Sequence, residues 1–191
     1  MSSAEAELVA RAAAGDSDAA STLLGLFRPG IVRYCRARLG RMSGGYDAAD
    51  DVAQEVCLAV LSALPRFRDE GKPFSALVYG IAAHKIADAQ RAAVRTRVVT
   101  TVDALPEPVD SAPGPEQQAL ATDLARRLSA LLEHLSDHHR ELVVLRVAVG
   151  LSAEEVGDVM GMSAAAVRVA QSRALARLRS LAGTLFDEVA A

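Results

Sequence analysis

The sequence predicts an all-α fold made of two small helical domains. Apolar residues make up 51% of the chain and aromatic residues 4%, a composition typical of helices packed through aliphatic side chains. No stretch keeps the alternation of apolar and polar residues that a half-buried strand needs. One segment, VVTTVDALPEPVDSAPGP, is rich in proline and lacks basic residues, which predicts an extended linker. We therefore divide the chain into residues 1–97, a linker over residues 98–115, and residues 116–191.

The first domain is expected to contain four helices. Asp16 can cap the second of them, because its short carboxylate can accept hydrogen bonds from the first free backbone N–H groups. That helix contains Pro29, which predicts a kink or break near Arg28, since proline removes a backbone donor and its ring crowds the preceding turn. The four helices are expected over residues 4–14, 17–39, 47–64 and 74–95.

The second domain carries the pattern of a helix-turn-helix. Ser136 can cap the helix that precedes the motif, and Ser152 with Glu155 forms a capping box for a short helix. Gly161 then supplies a tight turn before a long last helix, which predicts a helix-turn-helix over residues 152–173. A plain helical hairpin with solubilising arginines is the alternative. The residues predicted to meet DNA are Ser163, Ala164, Ala165, Arg168, Val169 and Arg173.

Several classes of protein are excluded by what the sequence lacks. No run of about 18 uncharged apolar residues occurs, and the first residues lack the basic and apolar run of a secretion signal. We therefore expect no membrane insertion and a cytoplasmic location. Cys35 and Cys57 lack metal-type spacing and are expected to be reduced thiols. No catalytic triad, phosphate loop or pair of catalytic acids stands out, so no enzyme activity, cofactor, metal or small-molecule substrate is expected.

Charge is distributed unevenly along a chain whose net charge is −3. Two segments carry arginine as their only charged residue, and each is compatible with local contacts to anions. For the first segment, an ordinary solvated helix surface explains the pattern equally well. The arginines concerned are Arg28, Arg33, Arg36, Arg38 and Arg41 in the first segment, and Arg168, Arg173, Arg177 and Arg179 in the second.

The segment AADDVAQEV gathers the carboxylates of Asp50, Asp51 and Glu55 near the start of the third helix. Acids are favoured there by the helix dipole, so simple charge complementarity is one interpretation. A protein-docking surface on the polar face is the second. A divalent-metal site in an all-α enzyme is the third, although such enzymes usually need a facing set of ligands and no second acidic motif is present.

The fourth helix presents basic residues on its outer face, with two aromatic residues near its start. Basic groups beside an aromatic ring can hold a nucleic-acid strand and support an unstacked base. A solvated basic face is the alternative. The outward residues are His84, Lys85, Asp88, Arg91 and Arg95, and the aromatic ones are Phe74 and Tyr79.

These three motifs, in this order, resemble the extracytoplasmic-function sigma factors, and the resemblance covers nearly the whole chain. The run DDVAQEV resembles the family's second conserved region, which grips the coiled coil of the polymerase clamp. The resemblance therefore implies core RNA polymerase as a partner and docking as the role of this motif. The docking residues that it implies are Asp50, Asp51, Val52, Gln54 and Glu55.

Two further segments resemble the promoter-binding regions of that family. The loop over residues 66–73 and the helix after it are similar to the part that binds and melts the proximal (−10) element and holds a flipped base. Residues 151–179 are similar to the region that reads the distal (−35) element, with Arg168 as the main contact and Arg173 on phosphate. For the proximal element, the resemblance implies Arg66, Arg68, Lys72, Phe74, Tyr79, His84, Lys85 and Arg91.

The chain departs from the family pattern at several positions. Leu77 stands where a tryptophan is common, and Val169 and Ala170 replace a frequent serine and arginine, so an atypical distant element is expected. Promoter DNA is the implied nucleic-acid partner, and such small sigma factors are commonly held by an anti-sigma protein. Three rivals predict something else: a free-standing helix-turn-helix regulator, the metal enzyme described above, and an adaptor that binds polymerase without touching DNA.

Overall fold

The computed structural model describes residues 3–40, 45–68, 71–99, 127–128 and 130–190, and every regular element within them is helical. The predicted all-α fold is confirmed. Residues 130–133 are also helical, whereas most of the predicted linker lies outside the described residues. The elements are α1 (Ser3–Ala13), α2 (Ser17–Leu39), α3 (Gly45–Ala63), a 3₁₀ turn (Leu64–Arg66), α4 (Phe74–Val99), α5 (Asp137–Val143) continuing as a π turn (Val144–Val149), α6 (Ala153–Met160) and α7 (Ala164–Ala190).

Helix α2 runs without a break through Pro29, so the predicted break near Arg28 is wrong. A proline inside a helix costs one backbone hydrogen bond and some crowding. On both sides of Pro29 the helix buries apolar residues, including Leu23, Ile31 and Leu39. Burial of side chains of that size stabilises the helix by about 1.5–3 kcal/mol each, which offsets the local penalty.

The predicted helix caps are present. The carboxylate of Asp16 accepts from the backbone N–H groups of residues 18 and 19, both at 3.0 Å. Ser152 Oγ accepts from the N–H of Glu155 at 3.1 Å, and the Glu155 carboxylate accepts from the N–H of Ser152 at 2.8 Å. Gly161 adopts a φ of +68°, which a residue with a side chain rarely adopts, and so supplies the turn between α6 and α7. Ser136 and Ser163 accept from the N–H groups of His139 and Ala166 at 3.3 and 3.2 Å.

The two parts of the sequence share one hydrophobic core in this structure. Helices α1 to α4 form a bundle around α2, and buried residues of the second part join the same cluster. Close approach is possible because Gly30 has no side chain: a Cβ there would collide with the Tyr79 hydroxyl and touch Val149 at 3.5 Å. The buried residues of the second part that join the shared core are Leu142, Val144, Leu145, Leu151, Ala153, Val156 and Val167.

Thiol chemistry offers a test of this packing. We expect Cys57 to react with iodoacetamide well before Cys35 in the native protein. Cys35 is fully buried in α2, and burial raises the pKa of its thiol to about 12, whereas Cys57 is partly exposed. Because the thiolate is the reactive form, both effects protect Cys35. Mass spectrometry of a labelling time course checks this, with denatured protein as the control; equal native rates would contradict the packing.

Candidate functional site

Asp50 of the acidic motif is tied to the neighbouring helix. Its two carboxylate oxygens accept from Arg36 Nε at 2.8 Å and Arg36 Nη2 at 2.6 Å. The hydrogen bond from Arg36 lowers the pKa of Asp50 below its usual value. Tyr46 adds to the arrangement, with its ring centroid 5.6 Å from the Arg36 guanidinium carbon. Asp50 therefore braces α3 against α2.

The other residues of the motif divide into exposed and engaged side chains. Asp51 and Gln54 are exposed on α3, and Asp51 makes no ion pair within the part of the chain that the structure describes. Glu55 pairs with Lys85 of α4 at 3.0 Å, and Val52 packs against the core. Among the described residues no group of three or more metal-ligating side chains occurs. Asp51 and Gln54 thus form the exposed part of this surface.

The outer face of α4 is polar and exposed. His84 is 74% exposed at its side chain, and Asp88 lies between it and Arg91, at 3.4 and 2.5 Å. The hydrogen bond from Arg91 lowers the pKa of Asp88. In front of α4, Arg66, Arg68 and Lys72 are exposed, and Arg68 donates to the carbonyl groups of Pro65 and Phe67. The predicted basic residues therefore lie on accessible surface.

Phe74 and Tyr79 do not lie on that surface, which corrects their predicted role as a platform for a base. Phe74 is completely buried, with its ring centroid 5.4 Å from that of Phe27 and 5.3 Å from that of Phe67. Tyr79 is 2% exposed and packs edge-on against Tyr34 at 5.7 Å. Burial raises the pKa of Tyr79 to about 12. Both rings stabilise the bundle by aromatic packing.

The helix-turn-helix presents its second helix, α7, to solvent. Arg168 and Val169 are exposed near the start of α7, together with Ser163, Ala165 and Arg173, while Val167 faces the core. Arg168 Nη2 donates to the Glu154 carboxylate at 2.5 Å, across the motif from α6. The pKa of Glu154 is lowered by a backbone hydrogen bond at the start of α6 and by Arg168. Ala164 is partly buried where α7 begins.

A groove of about 480 Å³ beside α7 contains two residues that the sequence analysis did not select for DNA contact. His138 and His139 of α5 line it together with Met162, Val169 and Arg173. The Ser136 cap located both histidines in the first turn of α5. Nothing local in the sequence indicates that this turn packs beside the recognition helix.

These surfaces define a class of protein: a helical DNA-binding protein with a helix-turn-helix and a separate exposed acidic helix suited to protein docking. The chain matches the family described as Sigma-70 region 2 over residues 23–96 and Sigma-70, region 4 over residues 131–180. The chain belongs to the sigma-70 family, in the group of extracytoplasmic-function sigma factors. The resemblance found in the sequence is thereby confirmed.

Similar proteins of known class support this assignment. The sigma factor SigD of Mycobacterium tuberculosis is 54% identical over 90% of this chain and 81% of its own length. ShbA of Streptomyces griseus is 54% identical over 92% of this chain and 93% of its own. The solved structure of CnrH in complex with the cytosolic domain of CnrY covers 95% of this chain and 98% of its own, with 26% identity and a TM-score of 0.69.

The function follows from the family. Sigma factors bind core RNA polymerase and promoter DNA, and this protein is a sigma factor that directs transcription initiation. The free-standing helix-turn-helix regulator is not favoured, because matches to both sigma regions occur in one chain. As a class, sigma factors are initiation factors rather than enzymes. Within the described residues, no helix is both long and apolar enough to cross a membrane.

Proposed function

We propose that three separate surfaces divide the work of initiation. Asp51 and Gln54 on α3 dock on the polymerase, the outer face of α4 binds the proximal element, and Arg168 on α7 reads the distal element. The observation that carries this proposal is the exposure of these side chains on the two parts of the chain that match the two sigma regions. The protein then acts without enzymatic activity of its own, in the cytoplasm where the polymerase transcribes.

The docking surface in this proposal is narrower than the acidic motif. Asp50 and Glu55 are engaged by Arg36 and Lys85, so their carboxylates support the geometry of α3 within the protein. Asp51 remains available for a basic partner group on the polymerase. Val52 contributes by packing α3 against the core rather than by direct contact.

Strand binding at the proximal element uses polar groups in this proposal. Lys72, His84, Lys85 and Arg91 can neutralise phosphates along α4 and the loop before it. With Phe74 in the core, a flipped base must be held by Arg66, Arg68 and backbone groups of that loop, since flipping costs a few kcal/mol that contacts must offset. Tyr79 contributes through the core and not through stacking.

At the distal element, the start of α7 enters the major groove. Ser163, Ala164 and Ala165 bring free backbone N–H groups close to a phosphate, and a guanidinium fork can bond guanine bidentately. Arg173 lies one and a half turns farther along, at phosphate distance in this arrangement. Val169 supplies an apolar contact to base edges, where thymine offers a methyl group.

The division into residues 1–97, 98–115 and 116–191 belongs to the same proposal: polymerase docking with proximal recognition, a tether, and distal recognition. An anti-sigma protein is a proposed further partner. Support comes from two similar structures, CnrH with the cytosolic domain of CnrY and RpoE of Bartonella quintana with the anti-sigma factor NepR. The second covers 85% of this chain at 19% identity and a TM-score of 0.58, so it supports the fold alone.

Variants of α3 test the docking proposal. Asp51→Ala is expected to weaken binding to core polymerase by about tenfold, because it removes a charge that pairs across the interface. Asp50→Ala is expected to lower the free energy of unfolding by at most about 1 kcal/mol, since it breaks an exposed ion pair. Fluorescence anisotropy with labelled protein measures the first effect and urea unfolding the second.

The exposed acid Asp18 on α2 provides the matched control for charge. Asp18→Asn removes the same charge away from α3 and is expected to bind polymerase as the unaltered protein does. Equal affinity of Asp51→Ala and Asp18→Asn for core polymerase would remove Asp51 from the docking surface.

A further inference from the structure

A half-buried polar cluster joins the two parts of the protein. Glu141 of α5 lies between two side chains of α2: the Tyr34 hydroxyl donates to its Oε1, and Arg38 Nη1 lies 2.7 Å from its Oε2. The side chains of Arg38 and Glu141 are 13% and 17% exposed, and Tyr34 is fully buried. Burial and the neighbouring Glu141 carboxylate raise the pKa of Tyr34, so its hydroxyl stays a donor.

Two further contacts close the same interface. Arg33 of α2 donates to the carbonyl oxygens of Ala148 at 2.8 Å and Val149 at 3.4 Å, at the end of the π turn. A cation there is favoured because the last carbonyl groups of a helix carry partial negative charge. Ser75, in the first turn of α4, donates to the Glu155 carboxylate of α6 at 3.4 Å.

This closed arrangement is too short for a promoter. The contact between Ser75 and Glu155 brings the start of the proposed melting helix against the helix-turn-helix. The elements named for positions −10 and −35 are separated by about 25 base pairs, or roughly 85 Å at 3.4 Å per base pair. Duplex of that length bends only at considerable cost, since the persistence length of DNA is about 150 base pairs. One closed molecule therefore cannot occupy both elements.

We propose that the closed arrangement is an autoinhibited state of the free protein and that Glu141 is its lock. Core polymerase and promoter DNA then select the open state, in which α5 to α7 separate from α2 and α4. Between Val99 and Arg127 the chain is long enough to span roughly 90 Å when extended, so the covalent connection permits this opening. The inference rests on the proposed promoter surfaces, because it is their spacing that excludes activity in the closed state.

Glu141 is suited to this role because the interface depends on its charge. Removing that charge leaves the Arg38 guanidinium in a largely dry site without its anion, which is more costly than losing an exposed pair. The first arginine segment of the sequence thus has an internal use, since Arg33 and Arg38 bind α5 and the π turn, and Arg36 binds Asp50. Opening exposes these arginines to solvent.

Fluorescence energy transfer between dyes on non-natural residues at the exposed positions 26 and 177 tests the proposal in the full-length protein. The free protein is expected to give high transfer, and adding core polymerase with promoter DNA to give low transfer. Glu141→Gln is expected to lower the ratio of closed to open molecules by about tenfold or more. It is also expected to tighten the apparent affinity for core polymerase, because a larger fraction is competent to bind.

Asp137→Asn is the matched control, since it removes the same charge from an 89% exposed side chain on the same helix. Low transfer in the free protein, or a Glu141→Gln variant identical to Asp137→Asn, overturns the proposal. Should circular dichroism reveal that Glu141→Gln does not fold, Arg33→Ala at the exposed end of the interface gives the same comparison, with a smaller expected opening. Loss of effect in Asp51→Ala and Arg168→Ala, with the Glu141 result intact, would instead overturn the proposed promoter and docking surfaces.

Discussion

Phe74→Ala is expected to lower the free energy of unfolding by about 3–5 kcal/mol, the range for deleting a large aromatic side chain from a packed core. Phe74 is completely buried and packs edge-on between Phe27 and Phe67. Truncation therefore removes two aromatic contacts and leaves a cavity at the start of α4. Urea unfolding followed by circular dichroism measures the change in free energy.

Phe74→Leu separates the core role from a base-stacking role. Leucine fills most of the space and is expected to retain most of the stability and, once folded, promoter opening close to that of the unaltered protein. Promoter opening is measured by permanganate reactivity of unpaired thymines. Loss of opening by Phe74→Leu at unchanged stability would indicate that this ring meets DNA after a rearrangement, contrary to the packing described above.

Arg168→Ala is expected to reduce transcription from promoters with an intact distal element by roughly 5- to 150-fold, corresponding to about 1–3 kcal/mol for a good bidentate contact to a base pair. Arg168 is exposed on the recognition helix, and its one partner within the described residues is the exposed Glu154. An exposed ion pair of this kind is worth at most about 1 kcal/mol, so exchange of Glu154 for a guanine is affordable. Competition binding and abortive initiation assays measure the loss.

Arg177→Ala is the control for that prediction, because it removes an exposed arginine farther along the same helix. It is expected to weaken binding slightly and equally for all sequences, whereas Arg168→Ala is expected to lower discrimination at the distal element. If both variants lose activity equally and discrimination is unchanged, Arg168 contacts only phosphate.

Local signals made much of the fold predictable from the sequence. The caps at Asp16, Ser136, Ser152 and Ser163 and the turn at Gly161 depend on residues at most three positions apart, so the chain itself encodes them. The absence of period-two alternation predicted the all-α fold. The two motifs that carry the family resemblance are likewise continuous stretches of sequence.

Contacts between distant residues could not be predicted in the same way. Glu141 lies more than 100 positions from Tyr34 and Arg38, and no local pattern pairs them. The exposed and engaged acids of α3 were indistinguishable in sequence, since only the packing of α3 on α2 brings Asp50 to Arg36. Pro29 failed as a helix breaker for the same reason, because tertiary burial outweighs a local penalty.

The most direct test of the account is transcription by core RNA polymerase on genomic fragments, with and without this protein. The account predicts initiation at discrete sites only when the protein is added, abolished or strongly reduced by Asp51→Ala through docking and by Arg168→Ala through promoter reading. Unchanged polymerase activity, together with a footprint of the protein alone on duplex DNA, would contradict it.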